Sequence, residues 1–162
     1  MHRHVVGFTI LFILSSCRSS SSDLGEMVNV GDPKMAIQLV SGFHPIENGW
    51  RWTTGHFVVG VKTPKRAASE GAVLLLRYSV PEILQGERSQ TKIQMSVAGV
   101  KLAEEETSRF GLQEIRREVP AEALRNKDIV RLEFWVEPVR QPQGEDRREL
   151  GVIVHEVGLT RK

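Results

Sequence analysis

Thr91-Lys92-Ile93-Gln94-Met95-Ser96-Val97 is the stretch of sequence that decides the fold. Its apolar side chains stand at every second position, a period that is typical of a strand with one buried face. Ala98-Gly99 follows as a tight turn, and Val100 to Leu102 resumes an extended pattern. These residues therefore predict a hairpin, and with it an antiparallel sheet.

Further segments on both sides of this hairpin also predict strands. Residues 35–39, 57–61 and 130–136 alternate in the same way, whereas residues 71–80 and 151–159 are apolar on both faces and are expected to lie centrally. Only residues 120–124 look helical, for a turn or two. The sequence thus predicts an all-β fold, a two-sheet antiparallel β-sandwich of about eight strands with a jelly-roll-like topology. The strand order stays open.

The N-terminal residues have the layout of an export signal. A basic start at residues 1–4 precedes an apolar run at residues 5–14, which is too short to span a bilayer core of about 30 Å. Leu14-Ser15-Ser16-Cys17 then resembles the bacterial lipobox. This resemblance implies that the thiol of Cys17 is diacylated and that Cys17 becomes the mature N-terminus. The alternative is a buried free cysteine beside an ordinary signal peptide.

The expected domain organisation follows from this export signal and lipobox. Residues 1–16 are predicted to be a lipoprotein signal peptide, residues 17–33 a lipidated cysteine with a flexible polar tether, and residues 34–162 the β-sandwich. The protein is expected to be exported and lipid-anchored to the cell envelope. The absence of aspartate at position 18 resembles lipoproteins that are passed to the outer membrane, where a bacterium has two membranes.

Composition excludes several classes of function. The 146 residues after position 16 carry 21 Lys and Arg against 20 Asp and Glu, because only Arg3 precedes them. This balance gives no electrostatic footprint for nucleic acid. Cys17 is the sole cysteine, so a lipid on it leaves no thiol for disulfides, zinc sites or nucleophilic catalysis. We expect no metal and no cofactor.

Residues 42–55 form the most distinctive segment. Trp50 and Trp52 are two positions apart, so both rings lie on one side of a strand and Arg51 lies on the other. The rings would offer a stacking platform for a sugar, with hydrogen bonds supplied by Glu47, Asn48 and Arg51. Alternatively, both tryptophans belong to the core.

Two further regions carry candidate binding residues. Trp135 shares its predicted face with charged residues, which favours ligand binding. The alternatives are a covering loop or stacking under Arg131. The charged segment 144–151 contains Asp146, Arg147 and Glu149, which either bind a polar ligand or pair with each other to pin the loop.

Two short motifs resemble those of a known module. Gly-Phe-His-x-x-Glu-Asn-Gly-Trp-Arg-Trp-Thr at residues 42–53 and Asp-Arg-Arg-Glu-Leu-Gly-Val at residues 146–152 are similar to a β-sandwich module of bacterial surface-polysaccharide proteins. That module is often appended to glycosyltransferases and has a jelly-roll-like, carbohydrate-binding-module-like form. The matching positions are Glu47, Trp50, Arg51, Trp52, Asp146, Arg147 and Glu149, which the resemblance implies as ligand contacts or as packing signatures.

Three function hypotheses follow. The first is an envelope lipoprotein that binds glycan, or assists polysaccharide assembly, without catalysis. The second is a scaffold subunit that docks an envelope protein complex, and the third is a carbohydrate-active enzyme. The sequence contains no Gly-x-Ser-x-Gly elbow, phosphate-binding glycine loop or dinucleotide fingerprint, so no residue is assigned a catalytic role.

We expect mass spectrometry of the mature N-terminus to find diacylglycerol on Cys17. The Cys17→Ala variant should leave the membrane fraction or remain unprocessed, because the thiol is the acceptor of the lipid that holds the protein there. A mature chain that begins elsewhere and carries no lipid would contradict the lipobox assignment.

Overall fold

The computed structural model describes residues 24–84 and 90–162, and Cys17 and the predicted signal peptide lie outside them. Two short α-helices, α1 (Ala67–Glu70) and α2 (Ala121–Leu124), and two 3-10 helices, Pro33–Gln38 and Glu82–Leu84, accompany the strands. The strands are β1 (Met27–Asn29), β2 (Leu39–Phe43), β3 (Arg51–Lys62), β4 (Ala72–Val80), β5 (Thr91–Val97), β6 (Val100–Lys101), β7 (Glu105–Thr107), β8 (Gly111–Val119), β9 (Ile129–Glu137) and β10 (Ile153–Arg161). None of the helices in the described part has the length and apolar character needed to cross a bilayer.

All pairings between these strands are antiparallel, and they run in the order β6-β5-β9-β3-β10-β4-β8. The remaining short strands attach at the sides, β1 to β10, β2 to β3 and β7 to β5. Strand β3 pairs with β10 at its start and with β9 along its second half, so the continuous sheet curls into two layers. The predicted all-β antiparallel sandwich is confirmed. The described residues form ten strands rather than about eight, because β1, β6 and β7 have only two or three residues each.

We call the two layers the first and the second sheet. The first sheet contains β1, β10, β4, β8 and the start of β3, and the second contains β2, the rest of β3, β9, β5, β6 and β7. Buried side chains from both form one hydrophobic cluster. Phe57 and Phe134 stack within it, with ring centroids 4.7 Å apart. The alternation predicted for residues 130–136 is confirmed, since Val130, Leu132, Phe134 and Val136 are all buried.

Two local predictions are also confirmed. Ala98 and Gly99 both have positive φ, at 50° and 83°, and join β5 to β6 in the predicted hairpin. The short helix α2 begins directly after Pro120, which serves as its N-cap residue.

Residues 35–39 differ from their predicted strand. Pro33–Gln38 is a 3-10 helix, because Pro33 restricts φ at its first position and the Asp32 side chain accepts a hydrogen bond from the Lys34 N–H at 2.9 Å. The buried Gln38 side chain then donates to the carbonyl oxygens of Gly25 and Gly60, which fastens the helix to β3.

The segment predicted to be a tether is partly folded. Strand β1 pairs with β10 from Met27↔Gly158 to Asn29↔Glu156, and Val28 and Val30 are fully buried. The described domain therefore includes residues before 34, because these two valines fill the core at the edge of the first sheet.

Truncating a core side chain should cost far more stability than truncating an exposed one. Phe134→Ala removes a fully buried ring and should lower the free energy of unfolding by about 3–5 kcal/mol. Arg116→Ala, on an exposed face of β8, should change it by less than about 0.5 kcal/mol. Urea denaturation with an unchanged m-value checks both, and equal effects would contradict the assigned core.

Candidate functional site

The motif of residues 42–53 is built around a tight turn. Glu47 and Trp50 exchange backbone hydrogen bonds of 2.9 and 3.0 Å, and Asn48 and Gly49 between them have positive φ. Such a two-residue turn requires residues that tolerate the left-handed region, which Asn and Gly do. The turn places Trp50 directly before β3, and Arg51 and Trp52 are the first two residues of that strand.

The tryptophan pair belongs mainly to the packing. Trp52 is only 7% exposed and lies in the hydrophobic cluster, and Trp50 is half-buried against it. Their rings meet edge to face with centroids 6.5 Å apart, an arrangement that favours packing over two parallel platforms. On the other side of the strand, Arg51 donates to the carbonyl oxygens of Val30 and His44. Trp50, Arg51 and Trp52 therefore hold the start of β3 in place against the core and against the Val30 and His44 backbone.

A charged clamp joins the two sequence motifs. Arg148 donates from Nε and Nη2 to the two carboxylate oxygens of Asp146, at 2.9 and 3.0 Å, and from Nη1 to Glu47 Oε1. Hydrogen bonds from Arg148 lower the pKa of the Asp146 carboxyl to about 2. The same bonds, led by that to Asp146, raise the pKa of the Arg148 guanidinium above its usual value. The clamp therefore holds residues 42–53 against the segment before β10.

The remaining motif residues serve the same junction or face solvent. Glu149 Oε1 accepts a hydrogen bond from the Gly55 N–H at 2.7 Å, and the Glu149 carbonyl oxygen lies 2.7 Å from His44 Nε2. Arg147 is exposed and takes no part in the clamp. The arginine that bridges the two motifs is Arg148, the neighbour of the Arg147 that the resemblance implied, because Arg148 is the one that reaches both Asp146 and Glu47.

Trp135 occupies a different surface. It points outward from the second sheet and is 37% exposed. The strand register places His56 of β3 and Gln94 of β5 directly beside it, one on each side. His56 stacks on the indole with ring centroids 5.0 Å apart and an interplanar angle of 13°. His56 Nε2 also lies 3.7 Å from Glu133 Oε2. Trp135 is therefore an exposed aromatic whose orientation is supported from one side.

A shallow pocket of about 150 Å³ lies on the β5 side of Trp135. Gln94, Lys101, Leu102 and Glu104 contribute to its lining. Lys92 Nζ lies 3.0 Å from Glu104 Oε1, which fixes that carboxylate at the rim. We call this surface the Trp135 face; its residues are His56, Gln94, Lys101, Glu104, Glu133 and Trp135. Apart from Trp135, its members could not be predicted from the sequence, because cross-strand neighbours depend on strand order.

Within the described residues, no group of three or more His, Cys, Asp or Glu side chains is arranged to hold a metal ion. The fold and the site define a β-sandwich with an open face that carries an aromatic residue.

Comparisons with known proteins add a structural likeness. No family model matches the chain, and no curated protein matches it. A similar solved structure is TmCBM27, a carbohydrate-binding module described for its specific mannan recognition. It is 16% identical, the match covers 86% of this chain and 97% of that one, and the TM-score is 0.49. At this TM-score, what that module binds does not carry over to this chain.

The clamp predicts a specific titration. NMR should find that the Asp146 carboxyl titrates with a pKa of about 2, and Arg148→Gln should return that pKa toward 3.8. Because folding lowers this pKa, its contribution to stability is present above pH 3.8 and is lost as the pH falls through about 2. Arg147→Gln is the matched control and should leave the titration unchanged. If the pKa of Asp146 is the same in the Arg148→Gln variant as in the parent, the clamp is refuted.

Proposed function

We propose that this protein is a membrane-anchored cell-envelope lipoprotein whose β-sandwich binds glycan, or assists envelope polysaccharide assembly, without catalysing a reaction. The observation that carries the proposal is the Trp135 face. An exposed indole, stacked on His56, borders a pocket with polar side chains around it.

The chemistry of this face suits a sugar ring. The apolar C–H face of a pyranose packs on an aromatic ring, and the hydroxyl groups at its edge need hydrogen-bond donors and acceptors. Trp135 supplies the ring, while Gln94 and Lys101 supply donors and Glu104 supplies acceptors within the same pocket. Because His56 covers one side of the indole, the ring is oriented before a ligand arrives, which lowers the entropy cost of binding.

The shape of the face suits binding without catalysis. The pocket of about 150 Å³ is below the roughly 300–1,000 Å³ of sites that enclose a ligand, so it would contact one sugar of a longer chain. His56 and Glu133 form a His–carboxylate pair, but both lie on the open sheet surface rather than in a cleft that excludes water. A polymer passing over this surface would be held and not cleaved.

The proposed anchor rests on Leu14-Ser15-Ser16-Cys17, and it would present the Trp135 face to envelope polysaccharide. The alternative hypothesis of a docking scaffold calls for a broad apolar patch. In the described part, exposed large apolar side chains are instead divided among several elements. They are Ile37, Val40, Ile46, Val100, Leu112, Ile129 and Trp135.

The proposal predicts loss of glycan binding on removal of the indole. On a glycan array, the full chain carrying Cys17→Ala should bind envelope-type glycans, and adding Trp135→Ala should weaken binding at least about tenfold, the equivalent of about 1.4 kcal/mol of stacking. His56→Ala should weaken it less, because the indole remains but loses its support.

The matched control is Leu112→Ala, which removes a more exposed apolar side chain from the first sheet and should leave glycan binding unchanged. If the parent chain binds no glycan, the proposed function fails. If Trp135→Ala and Leu112→Ala bind as well as the parent, glycan binding lies elsewhere.

A further inference from the structure

A second pocket, of about 450 Å³, lies at the end of the sandwich where β3 finishes and β9 begins. Its lining includes four basic residues, Lys62, Lys65, Arg66 and Lys127, and one carboxylate, Asp128. We call it the basic pocket. It is remote from the Trp135 face, because Trp135 is six residues along β9 from Ile129, the partner of Lys62.

The charge of this pocket is concentrated. The whole chain carries 22 basic and 20 acidic residues, whereas four cations face one carboxylate here. Arg66 pairs with Glu70 on α1, and no ion pair of the three lysines is found in the part of the chain that the structure describes. The pocket thus has an excess of positive charge around a cavity, which favours an anionic ligand.

A buried hydroxyl gives an independent indication of a ligand. Thr63 lines the same pocket, and its Oγ1 is buried with no hydrogen-bond partner within the described residues. Its backbone N–H is already used, donating to the Asp128 carbonyl oxygen at 2.8 Å. A buried hydroxyl without a partner is costly. Because this oxygen has almost no accessible surface, the side chain would have to rotate about χ1 to reach the cavity, where a phosphate oxygen would accept its hydrogen bond and the lysines would neutralise the charge.

The position of the pocket indicates where such a phosphate would come from. The Lys62 N–H donates to the Gly25 carbonyl oxygen at 3.0 Å, so the chain enters the domain beside the pocket. Six residues, 18–23, separate Cys17 from Leu24, a span of at most about 25 Å when extended. A lipid on Cys17 would therefore keep this end of the domain close to the bilayer surface.

We infer that the basic pocket binds the headgroup phosphates of an anionic lipid surface and sets the orientation of the domain on its membrane. The inference rests on the proposed lipid anchor for its geometry, and not on glycan binding. Lysine side chains near an anionic bilayer are attracted over a Debye length, so the contact should weaken as salt is added.

The test uses the chain from position 17 onward carrying Cys17→Ala, so that neither an acyl group nor the apolar run at residues 5–14 binds the vesicles. Sedimentation with vesicles of phosphatidylglycerol and phosphatidylcholine in equal parts should show binding, and vesicles of phosphatidylcholine alone should show none. Lys65→Glu with Lys127→Glu should weaken binding by about tenfold or more. Lys34→Glu with Arg109→Glu makes the same charge change at two residues that do not line the pocket, and should leave binding within about twofold of the parent.

The Thr63→Val variant distinguishes a specific phosphate site from non-specific electrostatic attraction to the membrane. It keeps the shape and the charge but removes the hydroxyl, so binding should fall about fivefold while thermal stability stays equal or rises. Unchanged vesicle binding by Thr63→Val, or equal losses in the two charge-reversal pairs, would overturn the inference. So would chemical-shift changes at Thr63 with inorganic phosphate alone and no vesicle binding, which would indicate a soluble phosphate ligand. The glycan array tests the proposed glycan binding separately, so its result does not depend on the outcome of the vesicle experiment.

Discussion

The structure depends on one constraint, which is that β3 must serve both sheets. Arg51 and Trp52 pair with β10, whereas His56–Lys62 pairs with β9, so the backbone leaves one ladder and enters another around Gly55. A backbone N–H that leaves a ladder needs another partner, and Glu149 supplies it at Gly55. Gly151 has the complementary role, since a Cβ there would lie 2.5 Å from the Thr54 carbonyl oxygen. The close approach of these two segments admits glycine and little else.

This corner explains why the most distinctive parts of the sequence are not its exposed face. The turn at Asn48-Gly49, the ring of Trp52 and the clamp of Arg148 all hold the start of β3 against the segment before β10. Aromatic and charged residues at high density commonly suggest a ligand site, but here the side chains of Glu47, Asp146, Arg148 and Glu149 are paired within the protein. A site open to a ligand is instead formed where β3, β9 and β5 run side by side.

How much the sequence could predict follows from the range of each interaction. Burial of Phe134 and exposure of Trp135 follow from alternation within one strand, and the Ala98-Gly99 hairpin from local turn chemistry. The approach of His56 and Gln94 to Trp135 depends on which strands are neighbours, and these residues are far apart in the chain. The alternation at residues 35–39 predicted a strand, but Pro33 and the Asp32 cap favour a 3-10 helix there.

The geometry of the fold makes the two proposed contacts compatible. The basic pocket lies where β9 begins, and Trp135 stands six residues further along that strand. At about 3.3 Å per residue, this places the indole roughly 20 Å from the pocket. A domain resting on a lipid surface at its basic end would hold its strands away from that surface, with the Trp135 face turned sideways. A polysaccharide lying along the membrane could then pack on the indole while the basic pocket stays bound to lipid.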